Sequence, residues 1–486
     1  MNIDGPATAS APFAELPRRA LPRFPSWWVA LGPGIVWMAL AQGSGELIWW
    51  PYLVAKYGLT FLWLLVPACL LQYPLNVEIG RYTLLTGESI FRGFFRVSPW
   101  LGGLLWVLMT LSFLWFGAFA SAGGTAMAAL TGFPGSFGVR GRTLFWAYST
   151  IAVFFVAMAL SNVVYRLIER CMKVVALVTV TGLLWACTQP EVTAALPTFL
   201  SALGGPPGPS DRGWDVNDST KLLTAITFAG LGGFWILLYS YWLQDKGSGM
   251  AAYSGRITGL VRGTAEDAAD ARVGTTGHLI DASAESAAEW PRWRRYLTVD
   301  ALVGILGNLL TTMMTCLLAY ALLYPRGLLP EEYDLAVVQS TFFEVSWGPI
   351  GRVLFLLVAA AFLTDTWLAT ADGVSRMQAD LIYTRIPGAR RLTQRQWYYV
   401  VLVVLTAITC FTMLLDAPGP LILLSAVIGF AGTVIFPPAL YVLNYRRLKP
   451  ALPAWARPHL LEALLLGVSF VVYAILAAAY VWATFF

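Results

Sequence analysis

The chain has 486 residues and a formal net charge of +5, with 58% hydrophobic, 14% aromatic and only 12% charged residues. Soluble proteins carry roughly 25% charged residues, and this much apolar surface cannot be hidden in a water-soluble core. The composition excludes a soluble enzyme, a nucleic-acid binder and a disordered scaffold, and predicts an all-α protein that crosses a membrane many times.

Residues 1–26 read as a short, mobile, basic cytoplasmic tail without the apolar core of a cleaved signal peptide. Eleven apolar stretches follow, near 27–55, 58–77, 100–130, 143–165, 174–189, 221–244, 299–324, 352–372, 397–415, 418–443 and 460–485, separated by segments rich in Gly, Pro and charge. Loop charge tests that count. With the N-terminus inside, cytoplasmic segments hold 25 of the 32 Lys and Arg residues. The external segments hold only Lys56, Arg140, Arg142, Arg212, Lys221, Arg326 and Arg352. The alternation predicts an N-in, C-out topology in the cytoplasmic membrane, with the lipid bilayer as partner and no nucleic acid. Residues 245–296 read as a polar cytoplasmic insertion of mixed charge.

Eleven spans allow two sets of five plus one. Five is odd, so the second set runs inverted relative to the first, an arrangement found in secondary transporters. The expected organisation is a first repeat at 27–200, an external loop at 201–220, a second repeat at 221–443, and a linker with helix 11 at 444–486. Spans one and six then occupy equivalent positions, and both carry glycines midway. Span one has Gln42-Gly43-Ser44-Gly45-Glu46, and span six has Gly230, Gly232, Gly233 and then Phe234. Glycine is a poor helix former, so both helices are expected to break there, leaving backbone groups that must face protein, water or a ligand.

Glu46 is the sharpest single residue. A carboxylate at the bilayer centre costs about 2.5–3.5 kcal/mol, whereas capping a helix dipole returns only about 0.3–1 kcal/mol. A cation, a proton or a water-filled cavity is needed to balance it, which makes Glu46 a candidate cation ligand. Glu78 has Arg81 three residues on, and Asp372 has Arg376 four residues on, so local ion pairs explain both. Asp365 has no such partner and is the stronger candidate for ion handling. Asn308, Thr311, Thr312 and Thr315 form a polar stripe on span seven.

The two histidines, His278 and His459, lie in polar segments, which excludes a His-ligated metal centre or haem within the membrane. The five cysteines lie in apolar spans and form no C-x-x-C pair, as expected of packing residues. No cofactor is expected. No rhomboid-like Ser-His pair, Gly-x-Gly-Asp motif or DDxxD motif is present, so a membrane-embedded enzyme is not expected either.

Residues 30–95 also resemble a known family. Gly32-Pro33-Gly34, its distance to the helix break, Tyr57-Gly58, Leu62-Trp63, Leu71-Gln72, Gly80 and Thr86-Gly87 are similar to the start of the Nramp metal-ion transporters. The resemblance implies the LeuT-type inverted-repeat fold and secondary active transport, typically of divalent metal with a coupling proton. The family's metal motifs are altered. Where it has Asp-Pro-Gly-Asn in helix one, this chain has Gly43-Ser44-Gly45-Glu46. Where it has Met-Pro-His in helix six, the aligned residues are Gly232-Gly233-Phe234. Without soft ligands the expected cargo is a hard cation such as Mg²⁺, held partly hydrated by Gln42, Ser44, Glu46 and backbone carbonyls. Glu78, Asp365, Asp372 and Asn308 are the coupling or gating candidates, with a proton or sodium as coupling ion. The same glycines are similar to those of amino-acid permeases on this fold, so a small organic solute is the alternative cargo, and a non-transporting membrane sensor the alternative of another class.

Overall fold

The computed structural model describes residues 13, 15–30, 32–41, 47–160, 164–205, 208, 213–230, 232–254, 277–330 and 334–485. Among them nine helices are long and apolar enough to cross a membrane. The number is ten if Arg166–Cys187 and Pro190–Ala202, bent by 75° at their junction, count as one span. The first expected span adds two nine-residue helices, Pro33–Ala41 and Trp49–Tyr57, on either side of positions 42–46, which lie outside the described residues.

Several helices outrun the apolar stretches that announced them. Span seven starts at Ala284, where Ser283 caps the helix by accepting the Ser286 N–H. Span eight belongs to Thr341–Arg385, which is two helices joined at Gly348 (φ 57°, ψ −140°). Its second part is roughly 55 Å long at the helical rise, against about 30 Å of hydrocarbon. An apolar run measures membrane thickness, and a helix continues past it wherever its polar turns find partners.

The half-helix Pro33–Ala41 packs among spans five, seven and eight, which form the wall of the molecular centre. Gly34 lets its backbone meet span seven, since a Cβ there would collide with the Asp300 carbonyl. The second half of span three, Gly117–Thr131, is built of small residues for the same reason. A Cβ on Gly123 would strike Thr364 of span eight, and one on Gly124 the Thr143 carbonyl of span four. The last span is peripheral, with only 17% of its most apolar window buried.

The N-terminal segment departs from the expected mobile tail. Phe13, Leu16 and Leu21 are buried, and Arg18–Arg19 forms a parallel two-residue pairing with Leu279–Ile280. The Leu21 N–H donates to Ser286 Oγ (2.8 Å), the Phe24 N–H to Glu289 (2.9 Å), and Trp293 Nε1 to the Pro22 carbonyl (2.8 Å). Basic composition suggested a free tail; the apolar residues set between the charges pin it down.

Candidate functional site

The break in span six lies within the described residues except for position 231. Helix Ser219–Phe228 ends as Ala229 turns extended (φ −54°, ψ 136°), Gly230 takes φ 81°, and a tight turn at Gly233–Leu238 leads into helix Tyr239–Lys246. Gly232 and Gly233 also have positive φ, at 74° and 59°. L-residues avoid that region, which is why glycines cluster here.

The released backbone groups find side chains from neighbouring helices. Gln72 of span two donates through Nε2 to the carbonyls of Thr227 (3.1 Å) and Ala229 (2.5 Å). Its Oε1 accepts the Gly233 N–H at 3.1 Å. Asn308 of span seven donates through Nδ2 to the Gly230 carbonyl at 2.5 Å. One amide thus bridges both sides of the break while a second holds its middle. Phe234 turns away, stacked on Phe436 at 6.2 Å and pressed against Gly432 of span ten.

Gln42, Gly43, Ser44, Gly45 and Glu46 lie outside the described residues. Their flanks are held. The Thr366 hydroxyl of span eight donates to the Leu40 carbonyl at 3.1 Å, and Gln339 Nε2 donates to the Leu47 carbonyl.

Between these flanks and span seven lies a small chamber lined by Leu47, Thr179, Leu183, Thr311, Thr312, Thr315 and Phe362, with room for about one water. A hydroxyl has a single proton to donate. Thr179 gives it to Val175, Thr311 to Gly307 and Asn308, Thr312 to Asn308, and Thr315 to Thr312, all to carbonyls of their own helices. Thr179 and Thr312 therefore offer the rest of the structure an oxygen and not a proton. Asn308 gives an amide proton to Gly230, and its Oδ1 has no hydrogen-bond partner among the described residues.

Asp365 stands one helical turn beyond Phe362, is 1% exposed, and receives no donor from any described side chain. A buried carboxylate in that state is expensive unless a proton or cation accompanies it. Glu78 and Asp372 are placed differently. Glu78 is bound by Arg81 (2.7 Å), Asn444 (2.7 Å) and Tyr445 (2.9 Å). Asp372 is bound by Arg376 (2.8 Å) and Tyr398 (2.7 Å), and Arg376 continues to Asp245. Both acids tie helices together. Among the described residues no three His, Cys, Asp or Glu side chains converge as a metal cluster.

The half-helices of spans one and six are also joined on both faces of the molecule. On one face Asp218 accepts from Tyr57 (2.6 Å), Lys56 (2.7 Å), Lys221 (2.8 Å) and Tyr52 (3.2 Å), fastening Trp49–Tyr57 to Ser219–Phe228. On the opposite face Trp37 meets Trp242 edge-on at 4.9 Å. Tyr239 donates to Asp300 at 2.7 Å, and Lys246 reaches Glu169 of span five at 2.8 Å. A second cluster follows the end of the span-two helix Gln72–Thr86. Burial alone would push the Glu88 carboxyl up, but hydrogen bonds from Arg96 and the charges of Arg96 and Arg92 hold it below the usual carboxylate range. Sequence reading missed Gln72 as a bridge, together with Asp218, Asp300 and Thr366. Apart from the neighbouring Asp218–Lys221 pair, the partners that tie these residues to the half-helices are far away in the chain.

No family model matches the chain, and no curated protein matches it. Among solved structures it is similar to MhsT in complex with L-phenylalanine, at 14% identity over 93% of this chain and 98% of that one, with a TM-score of 0.56. It is similar also to the manganese transporter of Eremococcus coleocola. A mutant of that protein gives 13% identity over 96% of this chain and 90% of that one, with a TM-score of 0.57. The complex of that transporter with an aromatic bis-isothiourea substituted compound gives the same values. Likeness across almost the whole length, with two half-helices where spans one and six belong, establishes that this membrane protein has the LeuT-type helical fold.

Proposed function

We propose that the protein is a secondary active transporter that moves a small cation by alternating access, through a site between the broken middles of spans one and six. The observation that carries this reading is a set of buried oxygens on and around span seven, beside the break in span six, that accept and do not donate. The Thr179 and Thr312 hydroxyls donate backward into their own helices, and Asn308 Oδ1 and the Asp365 carboxylate have no hydrogen-bond partner among the described residues. Oxygens without protons to give suit a cation. They suit a carboxylate poorly, and the Gly233 N–H that would greet one is engaged by Gln72.

Hydroxyl, amide and carboxylate oxygens favour a hard ion over a soft one. Mg²⁺ is the reading that fits, with Gln42, Ser44 and Glu46 completing the oxygen set. The manganese transporter among the structural neighbours supports a cation cargo on this fold, and the loss of the soft-ligand motifs argues for a change of ion. Asp365 is the coupling carboxylate in this reading, changing its partner between a proton and a co-transported cation as the half-helices move. The outer Asp218 cluster and the inner Trp37–Trp242 and Asp300–Tyr239 contacts are the two gates.

The second reading is a small organic solute, favoured by the similarity to MhsT bound to L-phenylalanine. Flux into proteoliposomes separates the two. Saturable Mg²⁺ uptake that Glu46→Gln and Asp365→Asn each abolish supports the cation. Uptake of an amino acid through a saturable site, with no divalent-cation flux in any variant, overturns it.

A further inference from the structure

The inner end of span seven and the start of span one enclose a groove of about 550 Å³, bordered by Phe24, Ser26, Trp27, Pro291, Arg292 and Arg295. Its base is aromatic, with the Phe24 ring 5.1 Å from Trp27 and 5.1 Å from Trp293. Its rim is cationic. Arg295 lies over the Trp27 ring at 5.9 Å, and among the described residues no carboxylate pairs with it. Arg292 touches Glu289 at 3.3 Å with its own side chain 66% exposed. Glu289 is partly engaged already by the Phe24 N–H. Two guanidiniums against one shared carboxylate leave the groove positive.

Its place along the helix says what fits. At about 100° per residue, Arg292 and Arg295 fall on the same face of span seven as Leu306 and Leu310. These leucines are 49% and 45% exposed and therefore face the bilayer. The arginines head an apolar lane at the depth where tryptophans mark the membrane boundary. A molecule that matches both parts has acyl tails and an anionic phosphate, which guanidinium groups bind in a forked geometry.

We propose that this groove holds the phosphate headgroup of an anionic phospholipid, in the leaflet that loop charge makes cytoplasmic, with its chains lying along Leu306 and Leu310. The inference rests on the membrane reading of the chain and not on any cargo. A lipid seated there would join the entry of span one to span seven, beside the half-helix Pro33–Ala41.

The test is lipid retention in nanodiscs of equal phosphatidylglycerol and phosphatidylcholine, followed by native mass spectrometry after mild detergent extraction. Wild type should keep phosphatidylglycerol over phosphatidylcholine by up to about thirty-fold, the scale expected of two basic side chains near a bilayer surface. The pair Arg292→Gln and Arg295→Gln should bring the ratio near one. The pair Arg390→Gln and Arg391→Gln, exposed in another inner loop, should leave it unchanged. Should the glutamine pair fail to fold, Arg292→Lys and Arg295→Lys keep the charge, lose the fork and should give an intermediate ratio. Equal retention of the two lipids by wild type, or equal loss in the Arg390 and Arg391 pair, overturns the proposal. Displacement by soluble glycerol phosphate overturns it in favour of a water-soluble phosphate ligand.

Discussion

Replacing Gln72 with Leu removes the amide that bridges the break in span six. Three contacts go at once: two donated to the carbonyls of Thr227 and Ala229, and one accepted from the Gly233 N–H. All three backbone groups are buried in a protein whose surroundings supply little water. An orphaned buried polar group costs about 1–3 kcal/mol, while side-chain hydrogen bonds measured within membranes average nearer 0.6 kcal/mol. The first figure is the better guide for Gly233, whose N–H loses its side-chain acceptor. The second suits the carbonyls, which have further lone pairs. The sum is a loss of roughly 2–4 kcal/mol. Leucine has similar bulk, so little of that loss comes from a void. Two measurements read it: thermal unfolding in nanodiscs, and backbone hydrogen exchange at residues 227–233. Exchange should rise locally even if the melting point moves little, since the loss falls on one unwound segment. A Gln72→Leu protein with wild-type melting and unchanged exchange there would refute the bridging argument.

Other expectations follow from the same geometry. Gly124→Leu should destabilise by at least about 1–3 kcal/mol, since its side chain meets the Thr143 carbonyl across the crossing of spans three and four; thermal unfolding checks it. Asp365→Asn should leave the melting point equal to or above that of wild type while flux in proteoliposomes is lost, because a neutral amide removes an unpaired buried acid. Asp218→Asn should loosen the outer face, seen as faster hydrogen exchange at both Trp49–Tyr57 and Ser219–Phe228 with exchange at Tyr239–Lys246 unchanged. The Glu88 carboxyl sits below its unfolded value, so its contribution is present above the ordinary carboxylate range and lost as pH falls through the folded value. Melting curves from pH 7 down to about pH 3 should show that loss in wild type, and Glu88→Gln should flatten it.

What could be read from the chain alone followed the range of the interaction. The break in span six was visible because Gly230, Gly232 and Gly233 sit side by side, and positive φ selects glycine locally. The Glu78–Arg81 and Asp372–Arg376 pairs were visible because helical spacing of three and four makes neighbours. Arg376 with Asp245, Lys56 with Asp218 and Gln72 with Gly233 were not, since each joins helices far apart in sequence. Helix ends were misjudged for a different cause. Hydropathy reports where hydrocarbon stops, and the polar turns of Ala284–Leu318 and Thr341–Arg385 go on beyond it. The N-terminal segment shows the limit of averaging, since Arg18 and Arg19 set its net character while Phe13, Leu16 and Leu21 decide its fate.

The pairing of Arg18–Arg19 with Leu279–Ile280 has a bearing on biosynthesis. Arg18 and Arg19 leave the ribosome early and wait for a partner some 260 positions later, after six spans have been inserted. The inner face is thus sealed late, by a seam that closes only over a largely assembled bundle. A fusion joined directly ahead of Phe13 would burden that final closure, whereas one appended after the peripheral last span would leave it alone.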